Sequence, residues 1–127
     1  MKRVPNNACR NYVANRVPFM GSHLFGESMD IGARYPAYIV CSYGQHWPLY
    51  IFEGRGAWYR NITKRSVSTS KHSTQAYPTY AECAGVTLSE ARAMQARILQ
   101  AARAIRNRNL DTSGDASVDE LLEPAMA

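Results

Sequence analysis

The sequence predicts an α+β domain: a three-stranded antiparallel β-meander, one long C-terminal helix packed on it, and an irregular N-terminal cover. Three observations lead there. Residues 37–62 hold three runs rich in β-branched and aromatic side chains, separated by glycine-containing turns. Residues 87–109 open on a capping box and then carry apolar residues at every third or fourth position. Residues 1–36 are broken by Asn, Gly and Pro and show neither period.

Taken in order, the N-terminal third offers only short apolar pieces such as Val17, Phe19, Met20, Leu24 and Phe25, so loops, with at most one short helix or strand, are expected over the core. The first strand is Ala37–Tyr43 and Gly44-Gln45 turns the chain. The second is His46–Glu53, with Pro48 near its start or at a bulge because proline cannot donate to a ladder. Gly54-Arg55-Gly56 makes the second turn and Ala57–Ile62 the third strand. The first two runs are apolar at almost every position, which predicts a sheet covered on both faces. Residues 63–75 contain seven hydroxyl side chains in thirteen positions, a composition that predicts a polar loop rather than a helix. Thr87 and Glu90 form the capping box. Ala91, Met94, Ile98, Ala102 and Ile105 then fall within an arc of about 80° at 100° per residue, with Arg92, Arg103 and Arg106 on one flank. Asn107 and Asn109 mark the expected helix end. A single domain is therefore expected over 1–110, followed by an acidic flexible tail over 111–127.

Length and composition fit this. The 127 residues are enough for one self-sufficient core, with 46% hydrophobic and 20% charged residues. No apolar run approaches the roughly 20 residues that span a bilayer, and no apolar stretch follows the charged start, so an intracellular protein with no membrane partner is expected. Charge is unevenly placed. The chain carries a formal +5, yet the tail from Asp111 holds five acids and no Lys or Arg, leaving fifteen basic against five acidic residues in the body. No acid lies between Glu53 and Glu82, a stretch that contains Arg55, Arg60, Lys64, Arg65 and Lys71. A body of that sign suits a polyanionic partner or an acidic protein surface.

Catalytic and metal chemistry find little support. Cys9, Cys41 and Cys83 are far apart, and with His23, His46 and His72 none is paired at ligand spacing, so reduced thiols and no metal are expected. Asp111, Ser113 and Asp115 match three positions of a calcium loop, but Ala116 stands where glycine must turn the chain and Leu122 where a bidentate Glu belongs. His46 and His72 have no carboxylate coupled to them by spacing, as a triad requires. No catalytic residue and no cofactor are expected. The better candidate is the hydroxyl-rich segment, whose Ser68, Thr69 and Ser70 offer hydrogen-bond donors beside Lys64, Arg65, Lys71 and His72. Nearby Trp58 could stack on bases, and the arginines of the helix could track a phosphate backbone.

The middle of the chain carries Tyr43-Gly44-Gln45-His46-Trp47-Pro48, then Trp58-Tyr59-Arg60-Asn61, then Ser66-Val67-Ser68-Thr69-Ser70-Lys71-His72. This resembles a small domain of bacteriophage proteins in which Y-S-Y-G-x-H-x-P leads to W-x-x-N and S-x-T-T-S-K-H, with Ser68 here in place of the first paired threonine. The likeness spans residues 37–78 and implies a viral accessory protein. The expectation is then a protein that binds and inhibits a host component, a protein or nucleoprotein complex of defence or nucleic-acid handling, in the host cytoplasm. Its surface would be one basic face built from Lys64, Arg65, Lys71 and the helix arginines, with His46 and Trp58 alongside. Direct DNA or RNA binding is the alternative, and capture of a nucleotide or small phosphorylated ligand by the hydroxyl-rich segment is the second.

Overall fold

The computed structural model describes residues 2–64, 67–78 and 82–115. Along the chain run β1 (Lys2–Arg3), a 3-10 turn (Asn6–Ala8), α1 (Arg10–Ala14), β2 (Phe19–Met20), β3 (Leu24–Met29), β4 (Ala37–Ser42), β5 (Pro48–Phe52), β6 (Trp58–Asn61), α2 (Val67–Gln75), β7 (Cys83–Val86) and α3 (Leu88–Asp115). The seven strands among the described residues form one sheet in chain order. This corrects the expected three-stranded meander. β4, β5 and β6 are its centre, and two strands of the supposed irregular cover, β2 and β3, extend it antiparallel on one side. Each edge is closed by a parallel pair, β1 on β2 and β7 on β6.

Parallel neighbours cannot be joined by a tight turn; the chain must cross over. The 3-10 turn and α1 make the crossover from β1 to β2, and α2 makes that from β6 to β7. Both crossovers land on the same face. There Cys9, Val13 and Ala76 pack on Phe19, Leu24, Tyr38, Val40, Tyr50, Phe52 and Trp58. The opposite face belongs to α3, whose Ala91 and Ile98 pack on Ala37, Ile39, Cys41 and Ile51. Covered on both sides, β4 and β5 are buried at every position, which explains their unbroken apolar pattern. Pro48 opens β5, and the register with β4 shifts between Val40 and Cys41.

The capping box forms as expected: Thr87 N–H donates to Glu90 Oε1 at 2.9 Å and Glu90 N–H to Thr87 Oγ1 at 3.2 Å. The helix it starts is longer than its apolar stripe and continues to Asp115, past the boundary expected at residue 110. The remaining tail, residues 116–127, lies outside the described residues. The second correction is α2, a helix where the hydroxyl content predicted a loop. Tertiary partners override propensity here by taking up its last carbonyls. Tyr50 Oη donates to Ser73 O at 2.6 Å, an Arg10 guanidinium nitrogen to Thr74 O at 2.7 Å and Cys9 Sγ to Gln75 O at 3.4 Å, while Ala76 N–H returns to His72 O at 2.9 Å. No helix among the described residues is long and apolar enough to cross a membrane.

Candidate functional site

Because α2 lies on the sheet with its carbonyl end tied down, it stands as a ridge between two clefts. On the β6 side, Ser70, Ser73 and Thr74 sit three and four apart and so share one flank of the helix. They line a cleft of about 420 Å³ together with Arg60, Asn61, Thr63 and Lys64. The wall opposite α2 is built by Asn61, whose Nδ2 donates to Pro48 O at 2.9 Å while its Oδ1 accepts Thr63 N–H at 2.9 Å. Thr63 Oγ1 in turn accepts Leu88 N–H at 2.9 Å, joining this wall to the start of α3. The Arg60 guanidinium lies 5.9 Å from the Tyr77 ring centre. Two cationic and four hydroxyl residues line this cleft, and no carboxylate is among its lining residues.

On the other flank, Lys71, His72 and Gln75 line a cleft of about 510 Å³ with Pro5, Asn6, Asn7 and Ser22. His72 is only 6% exposed, and its Nδ1 lies 2.7 Å from Oγ of the fully buried Ser42. The Tyr43 ring rests against His72 at 5.4 Å and stacks on His23 at 4.8 Å. His23 and Tyr43 both have left-handed backbones, with φ of 56° and 63°, and Tyr43 N–H donates to His23 O at 2.8 Å. Such conformations are costly for residues with a Cβ and persist only where the surroundings over-determine them. Here Asn6 does so, accepting Ser22 N–H at 2.8 Å and donating to Ser22 O at 2.9 Å. Burial foremost, with the nearby His23 and Lys71 charges, lowers the His72 pKa below the ordinary 6.5.

The predicted site residues are thus divided. Lys64 and Ser70 meet in one α2 cleft, Lys71 and His72 line the other, and Ser68 and Thr69 belong to α2 itself. Arg65 lies outside the described residues. Arg92, Arg103 and Arg106 sit on α3, which packs on the face of the sheet opposite α2. The cations expected to form one basic face are thus carried by helices on opposite faces of the sheet. Arg92 is already engaged: its Nε donates to His46 O at 2.9 Å, and Gln95 Nε2 donates to Gln45 O at 2.7 Å, so α3 clamps the β4–β5 turn. Arg55 and Arg97 share a cleft with Glu53 on this α3 side, and Glu27 lies near Gln95 there too. Trp58 is 8% exposed and packs against Tyr38 and Phe52, unavailable to a base. His72 lines a cleft beside α2 and Glu53 a cleft on the α3 side. Among the described residues no group of three or more His, Cys, Asp or Glu is placed to hold a metal.

Sequence reasoning missed Arg60 and Ser42 as site residues. Strand alternation would have found both: Arg60 shares the Trp58 side of β6, and Ser42 the Tyr38 and Val40 side of β4. Comparison with family models, curated proteins and solved structures finds no match to this chain.

Proposed function

We propose that the protein acts by binding, with the α2 face docking an anionic partner and the cleft of Arg60, Lys64, Ser70, Ser73 and Thr74 at its centre. The observation that carries this is a separation of charge. Cations and hydroxyls line the clefts beside α2 without a carboxylate, whereas the α3 arginines share their side with Glu27 and Glu53. Unopposed positive charge in a concave wall attracts and orients an anionic surface. Together with the bacteriophage resemblance, this supports a partner from the host, a protein or nucleoprotein complex, whose activity in the host cytoplasm is blocked by the docked protein. The buried Trp58 supplies no stacking platform, which favours such a surface over bare single-stranded nucleic acid.

The test compares intact protein with an Arg60→Gln, Lys64→Gln double variant in pull-downs from host lysate and in gel shifts with DNA and RNA. Recovery of a partner that falls sharply with the double variant and with added salt supports the reading. Equal recovery with both proteins removes it. A salt-sensitive shift of nucleic acid alone replaces the protein partner by direct nucleic-acid binding.

A further inference from the structure

We propose that the cleft lined by Lys71, His72, Gln75 and Ser22 is a separate site for a small ligand bearing an oxyanion, phosphate or carboxylate, next to a hydroxyl or amino group. The inference starts from a proton. Ser42 is fully buried, and its one side-chain hydrogen bond among the described residues is to His72 Nδ1 at 2.7 Å. A buried hydroxyl that donated to nothing would leave its proton unpaired, so the hydroxyl is the donor and Nδ1 the acceptor. A neutral imidazole that accepts at Nδ1 carries its own proton on Nε2. Burial foremost, with His23 and Lys71 nearby, disfavours the charged ring. Its face is covered by Tyr43 and its Nδ1 edge by Ser42, leaving the Nε2–H edge to the cleft that His72 lines.

The same cleft is lined by Lys71 and Ser22, with no carboxylate among its lining residues. Neutral and charged donors converging on one cleft recognise an oxyanion. Gln75 also lines this cleft, and its Oε1 is buried without a hydrogen-bond partner among the described residues. A ligand hydroxyl or amine beside the oxyanion satisfies it. The paired left-handed residues His23 and Tyr43, and Asn6 clamping Ser22, hold this wall in place before any ligand arrives.

Protein labelled with ¹⁵N is titrated with ribose 5-phosphate, inorganic phosphate and glycolate while the histidine ring nitrogens and the backbone amides are followed by NMR. The expected free protein shows His72 as the Nε2–H tautomer, and ribose 5-phosphate or glycolate then shifts His72 Nε2 with the Ser22 and Lys71 amides. The stronger of the two identifies phosphate or carboxylate as the source. Lys71→Gln, at an exposed position, weakens binding by about tenfold, the factor that loss of one charged hydrogen bond carries. Ser42→Ala mixes the two tautomers and weakens binding severalfold with the fold retained by circular dichroism. Arg60→Gln with Lys64→Gln leaves it unchanged, which separates this site from the docking cleft. An Nδ1–H tautomer in the free protein, resonances unmoved by tens of millimolar of all three ligands, or undiminished binding by Lys71→Gln would each overturn the proposal.

Discussion

His72 shows how a residue's surroundings decide its chemistry. Its pKa is lowered in the folded protein, so between that value and 6.5 the unfolded chain binds more protons. The stability contributed by the neutral ring is therefore complete above about pH 6.5 and is lost as pH falls through the folded pKa. Urea denaturation should show stability declining from pH 7 to pH 5, and His72→Gln should flatten that decline; an unchanged slope would mean that His72 is not its source. Burial acts in the other direction on thiols, raising Cys9 to about 11 and Cys41 to about 12. Cys83 is half-buried and its rise is opposed by Arg60. Since the thiolate is the reactive form, a disulfide reagent at pH 8 should modify Cys83 in the native protein and reach Cys9 and Cys41 only on unfolding. Mass spectrometry of the labelled peptides reads this directly. Gly26 is also set by its neighbours: a Cβ there would collide with the Tyr38 hydroxyl and approach Phe19 Cε1 to 2.7 Å. Gly26→Ala should cost about 1–3 kcal/mol, as overpacking does, and disturb the 2.7 Å bond from Tyr38 Oη to Val17 O.

At the scale of elements, α2 and α3 obtain their stability from different sources. The α3 signal is local: a capping box and a stripe of apolar residues, both readable in the chain. Thr87→Ala should cost about 1 kcal/mol, the usual value of an N-cap, measurable as a lowered denaturation midpoint. The α2 segment has no such signal, and its Ser and Thr side chains compete for the backbone. It is helical because Arg10, Tyr50 and Cys9, remote in sequence, reach its last carbonyls. Arg10→Ala should therefore cost about 0.5–1.5 kcal/mol, the ordinary range for a hydrogen bond, because this one is exposed to solvent. Amide exchange should accelerate within α2 and not in α3. Equal acceleration in both would show that α2 is not held by this tether.

For the whole molecule, the sheet acts as a partition. Lys64 and Lys71 line the clefts beside α2, whereas Arg103 and Arg106 belong to α3, which packs on the opposite face. Substituting Arg103 and Arg106 by Gln should leave partner binding and its salt dependence unchanged, whereas Arg60→Gln with Lys64→Gln should reduce both; widely separated sites contribute independently. A fall of similar size from both sets would restore a continuous basic surface.

The chain by itself determined the parts that depend on near neighbours. The α+β composition, the meander of β4 to β6, Pro48 at the opening of β5, the doubly covered sheet and the cap of α3 all follow from periods and spacings within about twenty residues. Lys64, Ser70, Lys71 and His72 were legible as polar candidates for the same reason. What only the tertiary structure decided is everything set by distant contact. The edge strands are two to four residues long and too short to show a period, and α2 is held by carbonyl partners from residues 9, 10 and 50. The crossovers that place α1 and α2 on one face follow from parallel pairing at the sheet edges, and α3, after the last strand, covers the other face; no local pattern encodes either. The candidate site was divided for that reason, because position along a chain does not reveal which side of a sheet a charge will face.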